Sequence, residues 1–193
     1  MFKQEFQVFT PDEQHTINHS ILSSGTEWLN AKVNPYNYKS DLVWRFYDRT
    51  IAEPEVDDHP MFALRLVQRQ ENDAPGFVVS PHWSLFEKVF HRVREKMDLP
   101  FTNVLRSSIN LTWHQLPLHG VPHKDHYTKD HYNMILQLTP ISQGGTFIFD
   151  EDKNIVDESS AAAWSATAFE GLWHAQGFCA PGETRAVCVI TWE

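Results

Sequence analysis

The sequence predicts a mainly β protein with flanking helices: a double-sheet jelly roll with N-terminal helices packed on one sheet. Three observations carry this expectation. From residue 104 onward, short apolar runs alternate with turn residues, which places strands near 104–115, 123–126, 132–139, 146–149, 153–156, 163–169, 172–176 and 185–192. Before residue 104 the clearest pattern is helical. Helices therefore precede strands without βαβ alternation, which argues against a Rossmann sheet, and neither Gly-x-Gly-x-x-Gly nor a phosphate loop is present. At 193 residues, with no repeats, low-complexity tracts or linkers, a single domain spanning 1–193 is expected. Within it, 1–103 forms a helical and strand support region and 104–193 the core.

In chain order, Thr10-Pro11-Asp12-Glu13 opens a helix: Thr10 caps, Pro11 suits the first helical position, and Glu13 completes a capping box. Ile17, Ile21 and Leu22 share one side of that helix, and Gly25 is its expected stop. Asn34-Pro35-Tyr36-Asn37 reads as a turn, and residues 42–47 are apolar with an ambiguous period. Phe62, Leu64 and Leu66 alternate with Ala63 and Arg65, as in a strand. A loop follows at 72–76. The clearest helix begins at Ser80-Pro81 and ends at Leu99-Pro100. Its stripe of Leu85, Phe86, Val89, Phe90, Val93 and Met97 recurs at three- and four-residue steps, so it packs on the outside of a sheet.

Composition narrows the function classes. A formal net charge of -9 is a poor match for nucleic acid, whose phosphates call for Lys and Arg. Two cysteines, Cys179 and Cys188, form no disulfide framework and fit a reducing compartment. The first residues hold no apolar run of a signal peptide, and no stretch approaches the roughly 20 apolar residues of a membrane span. A soluble cytoplasmic protein that engages neither membrane nor nucleic acid is expected.

The chemistry-bearing residues gather between His123 and Arg185. On a strand, residues i and i+2 point to one face, so His123 and Asp125 can reach one metal ion from one segment. His174 is the candidate third ligand. Two imidazoles and a carboxylate on one face of an octahedron are the facial triad of non-haem Fe(II) oxygenases, which leaves open positions for a bidentate keto acid and O2. Arg185 opens a near-continuous apolar run, residues 186–192, where a buried arginine needs an anionic partner. Its planar fork suits the far carboxylate of a dicarboxylic acid. Five of the eleven histidines lie between His114 and His131; those not needed as ligands are read as loop histidines, substrate contacts or supporting hydrogen bonds. The loops 115–122 and 127–131 flank the proposed iron and are expected to form the substrate rim.

These residues carry a family resemblance. His123-Lys124-Asp125, then Gly144-Gly145-Thr146-Phe147-Ile148-Phe149, then His174, then Pro181-Gly182-Glu183-Thr184-Arg185 resembles the pattern of the 2-oxoglutarate and Fe(II) dependent dioxygenases, closest to the prolyl-4-hydroxylase-like branch. The resemblance covers residues 104–193. It implies a double-stranded β-helix, Fe(II) on His123, Asp125 and His174, 2-oxoglutarate with its distal carboxylate on Arg185, and O2 as oxidant. It also implies hydroxylation of a prolyl or other amino-acid side chain in a peptide or protein, with release of succinate and CO2; a free amino acid is a further substrate class. Two features depart from the family. Ser159-Ser160-Ala161-Ala162 stands where a glycine is usual, and the tyrosine that often helps hold the co-substrate has no match; Trp113 and Gln137 fall near its place. Asn133, Ile135 and Gln137 share a strand face, so Asn133 and Gln137 are candidate co-substrate contacts, with Trp113 as a cavity wall.

Alternatives weigh less. A repair-type dioxygenase acting on DNA would show an Arg-Asn-x-Thr-x-Arg run after the distal His, but Arg185 is followed by Ala186-Val187. A metalloprotease would need His-Glu-x-x-His on a helix, which is absent. A non-catalytic jelly-roll metal- or small-molecule-binding protein is the reading from another class; Arg185 has no purpose in it.

Overall fold

A computed structural model describes residues 1–23, 44–47, 59–70, 74–126 and 129–193. Among the described residues the strands are β1 (Phe2–Glu5), β2 (Trp44–Tyr47), β3 (Met61–Gln68), β4 (Phe77–Val78), β5 (Val104–Trp113), β6 (Tyr132–Gln137), β7 (Thr146–Phe149), β8 (Ile155–Glu158), β9 (Ala166–Glu170), β10 (Trp173–Gln176) and β11 (Thr184–Trp192). The helices are α1 (Pro11–Thr16), which runs on as a π-helical stretch over Ile17–Leu22, and α2 (Trp83–Lys96).

The larger sheet has the order β1-β9-β6-β11-β5-β3-β2, with β4 on β3, and the smaller has β10-β7-β8. All pairings among these strands are antiparallel. This is the two-sheet, mainly β architecture that the strand spacing predicted.

Side-chain alternation along β11 explains how one sheet serves two cores. Ala186, Cys188, Ile190 and Trp192 face the helices, where they join Ile17, Ile21, Phe86, Val89, Phe90 and Val93 in the main apolar core. The odd positions Arg185, Val187, Val189 and Thr191 face the smaller sheet. There Val187 packs with Ile135, Ile148 and Phe169. α2 thus lies on the outside of the large sheet with its stripe buried, as its period requires.

At the amino end, Thr10 and Glu13 form the reciprocal capping box: Glu13 N–H donates to Thr10 Oγ1, and Thr10 N–H to the Glu13 carboxylate. The helix then widens to π geometry, with Thr16 and Ser23 hydroxyls donating to carbonyls four residues back. Residues 44–47, whose period was ambiguous, form β2. The Gly25 stop, the 34–37 turn, and parts of the 72–76 and 127–131 loops lie outside the described residues.

One expected strand is absent. Residues 123–126 form no strand, and His123 makes a single bridge to His174 instead. Pro122 brings no backbone N–H to continue a ladder. The strand expected at 153–156 begins later, at 155, because Asp150 closes a turn onto Asn154 N–H and Lys153 takes φ 66°; the one expected at 163–169 begins at 166, after Trp164 at φ 65°. Among the described residues, no helix is long and apolar enough to cross a membrane.

Candidate metal centre

His123, Asp125 and His174 converge, with one ligand atom from each lying within 4.8 Å of the others. His174 comes from β10 on the smaller sheet. His123 comes from the bridging segment, and reciprocal backbone bonds of 2.9 Å tie the two residues together. The i, i+2 relation on a strand is therefore not what joins His123 to Asp125. The cross-sheet bridge brings the two imidazoles together, and side-chain contacts to Asp125 bring in the carboxylate.

Both rings are oriented from behind. His123 Nδ1 lies 3.0 Å from the Val121 carbonyl and His174 Nδ1 2.9 Å from that of Leu172. A carbonyl can only accept, so each Nδ1 carries the proton and each Nε2 keeps its lone pair. His174 Nε2 stands 3.7 Å from Asp125 Oδ2, and His123 Nε2 stands 4.0 Å from Oδ1. Asp125 Oδ2 is buried and finds no hydrogen-bond partner among the described residues. A buried, unsatisfied carboxylate oxygen beside the His174 Nε2, with the second imidazole near the other oxygen of the same carboxylate, fits a divalent cation.

The charges agree with this. Burial pushes the Asp125 carboxyl upward, but the Arg106 guanidinium, with smaller contributions from His174 and His123, holds it well below the usual carboxylate range. Burial, reinforced by the neighbouring His123 ring, pushes His174 down to about 4. At neutral pH Asp125 is therefore an anion and His174 is neutral, so neither must lose a proton to bind a cation.

A pH dependence follows for the metal-free protein. Between pH 4 and about 6.5 the unfolded chain protonates His174 and the native chain does not. Where the unfolded state binds more protons, stability rises with pH. Acidification through this window thus destabilises the fold, by at most about 1.4 kcal/mol per pH unit for this residue. Below about pH 4 the depressed Asp125 adds a loss of the same sign. Denaturant midpoints measured at pH 7.5, 6.0 and 5.0 should fall steadily, and the slope should flatten in His174→Phe.

The adjoining cavity, about 90 Å³, is lined by residues that include His123, His174, Arg106, Thr146, Gln176 and Arg185. Arg185 is buried, and burial pulls its pKa down to about 10. Its Nη2 donates to Thr146 Oγ1 at 2.9 Å, whereas its Nε finds no acceptor among the described residues. Gln176 Nε2 is likewise buried and unsatisfied. These are buried donors aimed at one small space, an arrangement that calls for an anionic, multiply accepting guest.

The glycine pair places Thr146. Gly144 has φ 84°, and a Cβ there would sit 2.3 Å from the Phe178 carbonyl oxygen; on Gly145 it would sit 2.1 Å from that of Ser159. Both obstacles are backbone. β7 therefore starts so close to its neighbours that only Gly fits. Gly145→Ala is expected to cost about 2 kcal/mol or more, a fall in Tm of several degrees on thermal melting.

The other site candidates fare differently. Asn133 and Gln137 do face inward with Ile135, in register with Thr191 and Val187. One polar atom of each side chain is taken up locally, while Asn133 Nδ2 and Gln137 Oε1 find no hydrogen-bond partner among the described residues. Asn133 Oδ1 accepts from Thr191 Oγ1, and Gln137 Nε2 donates to the Thr139 carbonyl, so neither lines the cavity. Trp113 requires correction. Arg106 and Asn110 of β5 line the cavity, so strand parity turns Trp113 to the opposite face, where its ring packs on Phe62 at 6.0 Å. His114 and His119 bond backbone carbonyls, and His126 and His131 face each other with ring centroids 5.0 Å apart. Cys179 and Cys188 are buried and free, and burial pushes the Cys188 thiol up to about 12.

Arg106, Thr146 and Gln176 are site residues that sequence reasoning missed. A signal existed for Arg106: Arg106, Ser108, Asn110 and Thr112 alternate with Leu105, Ile109 and Leu111, which marks a polar inner face on β5.

No protein-family model matches the chain, and no curated protein matches it. Solved structures do. An oxidoreductase of the 2OG-Fe(II) oxygenase family from Burkholderia pseudomallei superposes with a TM-score of 0.61 at 14% identity, over 94% of this chain and 89% of that one. A Pseudomonas putida prolyl-4-hydroxylase gives 0.56 at 11% identity, over 99% and 90%. A Trichoplax adhaerens prolyl hydroxylase, in complex with a hypoxia inducible factor peptide fragment, gives 0.59 at 7% identity, over 99% and 82%. With its two antiparallel sheets and helices on one face, the chain has the double-stranded β-helix fold of the 2OG-Fe(II) oxygenases, prolyl hydroxylases among them.

Proposed function

We propose that this protein is a 2-oxoglutarate- and Fe(II)-dependent dioxygenase. It hydroxylates a substrate C–H bond, that of a prolyl or other amino-acid side chain in a peptide or protein, and releases succinate and CO2. The observation that carries the reading is the convergence of His123, Asp125 and His174 beside a buried arginine whose Nε lacks an acceptor among the described residues.

His123 Nε2, His174 Nε2 and Asp125 Oδ2 would hold the iron. Bound there, Fe(II) supplies the activation of O2 and the oxidative decarboxylation of the keto acid. The rest belongs to the chain. Arg185 receives the distal carboxylate of 2-oxoglutarate, and Thr146, whose hydroxyl oxygen accepts from Arg185, can turn its proton to the same carboxylate. Val187, Val189 and Ile135 line the cavity and exclude water.

A larger cleft of about 720 Å³ is lined by residues that include Lys124 and His126, which flank Asp125 in the chain, and Leu172, whose carbonyl meets the His174 ring; none of the three metal-site residues lines it. That volume suits a peptide side chain with its flanking backbone. The prolyl assignment draws on the resemblance and on the two prolyl hydroxylases among the structural neighbours.

The test is an anaerobic titration of metal-free protein with Fe(II) and 2-oxoglutarate. A weak visible charge-transfer band that needs both additions, and is lost in His174→Ala, supports the site. Absence of the band, with tight binding of Zn(II) or Ni(II), points to the non-catalytic metal-binding jelly roll instead. Succinate formation across a panel of proline-containing peptides and free amino acids then selects the substrate.

A further inference from the structure

We propose that Arg106 is a positioning residue for the metal-binding carboxylate. Its guanidinium holds Oδ1 of Asp125 and leaves Oδ2, 3.7 Å from His174 Nε2 and without a hydrogen-bond partner among the described residues, to the metal. The inference rests on the metal-centre reading above and deepens it.

Asp125 lies outside any strand, so no ladder orients it. Its direction comes from two arginines: Arg69 donates through Nη2 to the Asp125 carbonyl at 3.2 Å, and Arg106 donates through Nη2 to Oδ1. Arg106 is itself held from behind. Its Nε donates to Thr191 Oγ1 at 3.1 Å, and Thr191 Oγ1 donates to Asn133 Oδ1 at 2.8 Å. Arg106, Thr191 and Asn133 are direct cross-strand partners on β5, β11 and β6, so the brace spans three adjacent strands. The inward-facing Asn133 thus stands behind the carboxylate, with Arg106 and Thr191 between them.

This arrangement needs arginine. The fixed fork lets one nitrogen bond Thr191 while another bonds Asp125; a lysine ammonium has no such geometry. A carboxylate with one oxygen occupied offers a metal the other, already oriented before the ion arrives. The competing effect has the opposite sign. A cation beside a cation site repels the metal, so if charge alone mattered, removing Arg106 would tighten binding. Affinity therefore decides between the two.

The experiment is a titration of metal-free protein with Co(II), without 2-oxoglutarate, followed by the visible d–d bands and accompanied by thermal melts. Wild type is expected to bind and His174→Ala to fail. Arg106→Met is expected to bind about 10- to 100-fold more weakly with an altered band pattern, as the freed carboxylate turns. Arg106→Lys and Thr191→Val are each expected to weaken binding by about threefold or more. Arg106→Met binding within about threefold of wild type, or more tightly, overturns the inference and leaves the metal centre standing. So does an Arg106→Lys variant with wild-type affinity and spectrum, since charge alone would then suffice. If Arg106→Met does not fold, Thr191→Val decides by the same threshold, because it leaves Arg106 and Asp125 in place. A wild type that binds no Co(II) overturns the metal-centre reading and this inference with it.

Discussion

His174→Ala is expected to abolish 2-oxoglutarate turnover, with a loss on the order of 1,000-fold or more, and to leave the metal-free protein folded. The first part follows from the donor count. Removing one of the three proposed ligands, whose donor atoms converge within 4.8 Å, would leave a two-donor site, and a barrier rise of about 4 kcal/mol already corresponds to three orders of magnitude. The second follows from the environment of the ring. His174 is neutral and buried, with pKa pushed to about 4; its ring meets a backbone carbonyl, the Phe169 and His123 rings at 5.0 and 4.6 Å, and Asp125 Oδ2 at 3.7 Å, a carboxylate that keeps its ion pair with Arg106. Deleting it strands no buried charge, so the cost is that of a modest cavity. The two effects separate in a melting experiment. Metal at 100 times its Kd should stabilise wild type by about 2.7 kcal/mol, and the variant should show no shift. A variant that keeps both turnover and the metal-induced shift would remove His174 from the ligand set.

Arg185→Met is expected to act in opposite directions on binding and stability. Arg185 is fully buried, and burial lowers its pKa from 12.5 to about 10. At neutral pH the native state therefore carries a buried cation at a cost of about 3 kcal/mol. Methionine removes that cost and forfeits the bond to Thr146, about 1 kcal/mol. The ligand-free variant should thus melt higher than wild type. The same change removes a charge-assisted, forked contact to a desolvated carboxylate, typically about 2–5 kcal/mol. KM for 2-oxoglutarate should rise about 30-fold or more, with metal affinity unchanged. An unchanged KM would mean that Arg185 is structural and that the dicarboxylate binds elsewhere. A gain in stability with a loss of affinity is what a preorganised anion site predicts, because its charge is placed for a guest rather than for the fold.

The two variants also divide the site between two origins. His174 sits on β10 and Arg185 on β11, in different sheets, and the cavity between the sheets joins them. Gly144 and Gly145 connect the halves, since only their lack of side chains lets β7 reach Arg185 with Thr146. A Gly145→Ala change should therefore disturb co-substrate binding as well as stability.

What the sequence by itself determined was local or ordered along the chain. The α2 stripe, the Thr10 capping box, the apolar alternation of β3 and the turn-separated strands after residue 104 each depend on spacings of two to four residues, whereas β11 showed only a near-continuous apolar run. Those periods fix which face each element buries, and from them the two-sheet fold with outside helices was legible. The order His123-x-Asp125, Gly144-Gly145, His174, Arg185 was legible too, because residue types with strict chemical preferences stand in a row. Only the tertiary structure decided what meets across the sheets. Residues 123–126 are no strand, since the bridge from His123 to His174 is their one ladder contact. Trp113 faces away from the cavity because parity along β5 is set by pairing with β11, which single-sequence periodicity left uncounted. Arg106 and Thr191 are 85 positions apart in the chain, and Arg185 and Thr146 are 39 apart. Contacts of that separation exist only once the strands are in register, because a one-residue slip would turn each of these side chains to the opposite face.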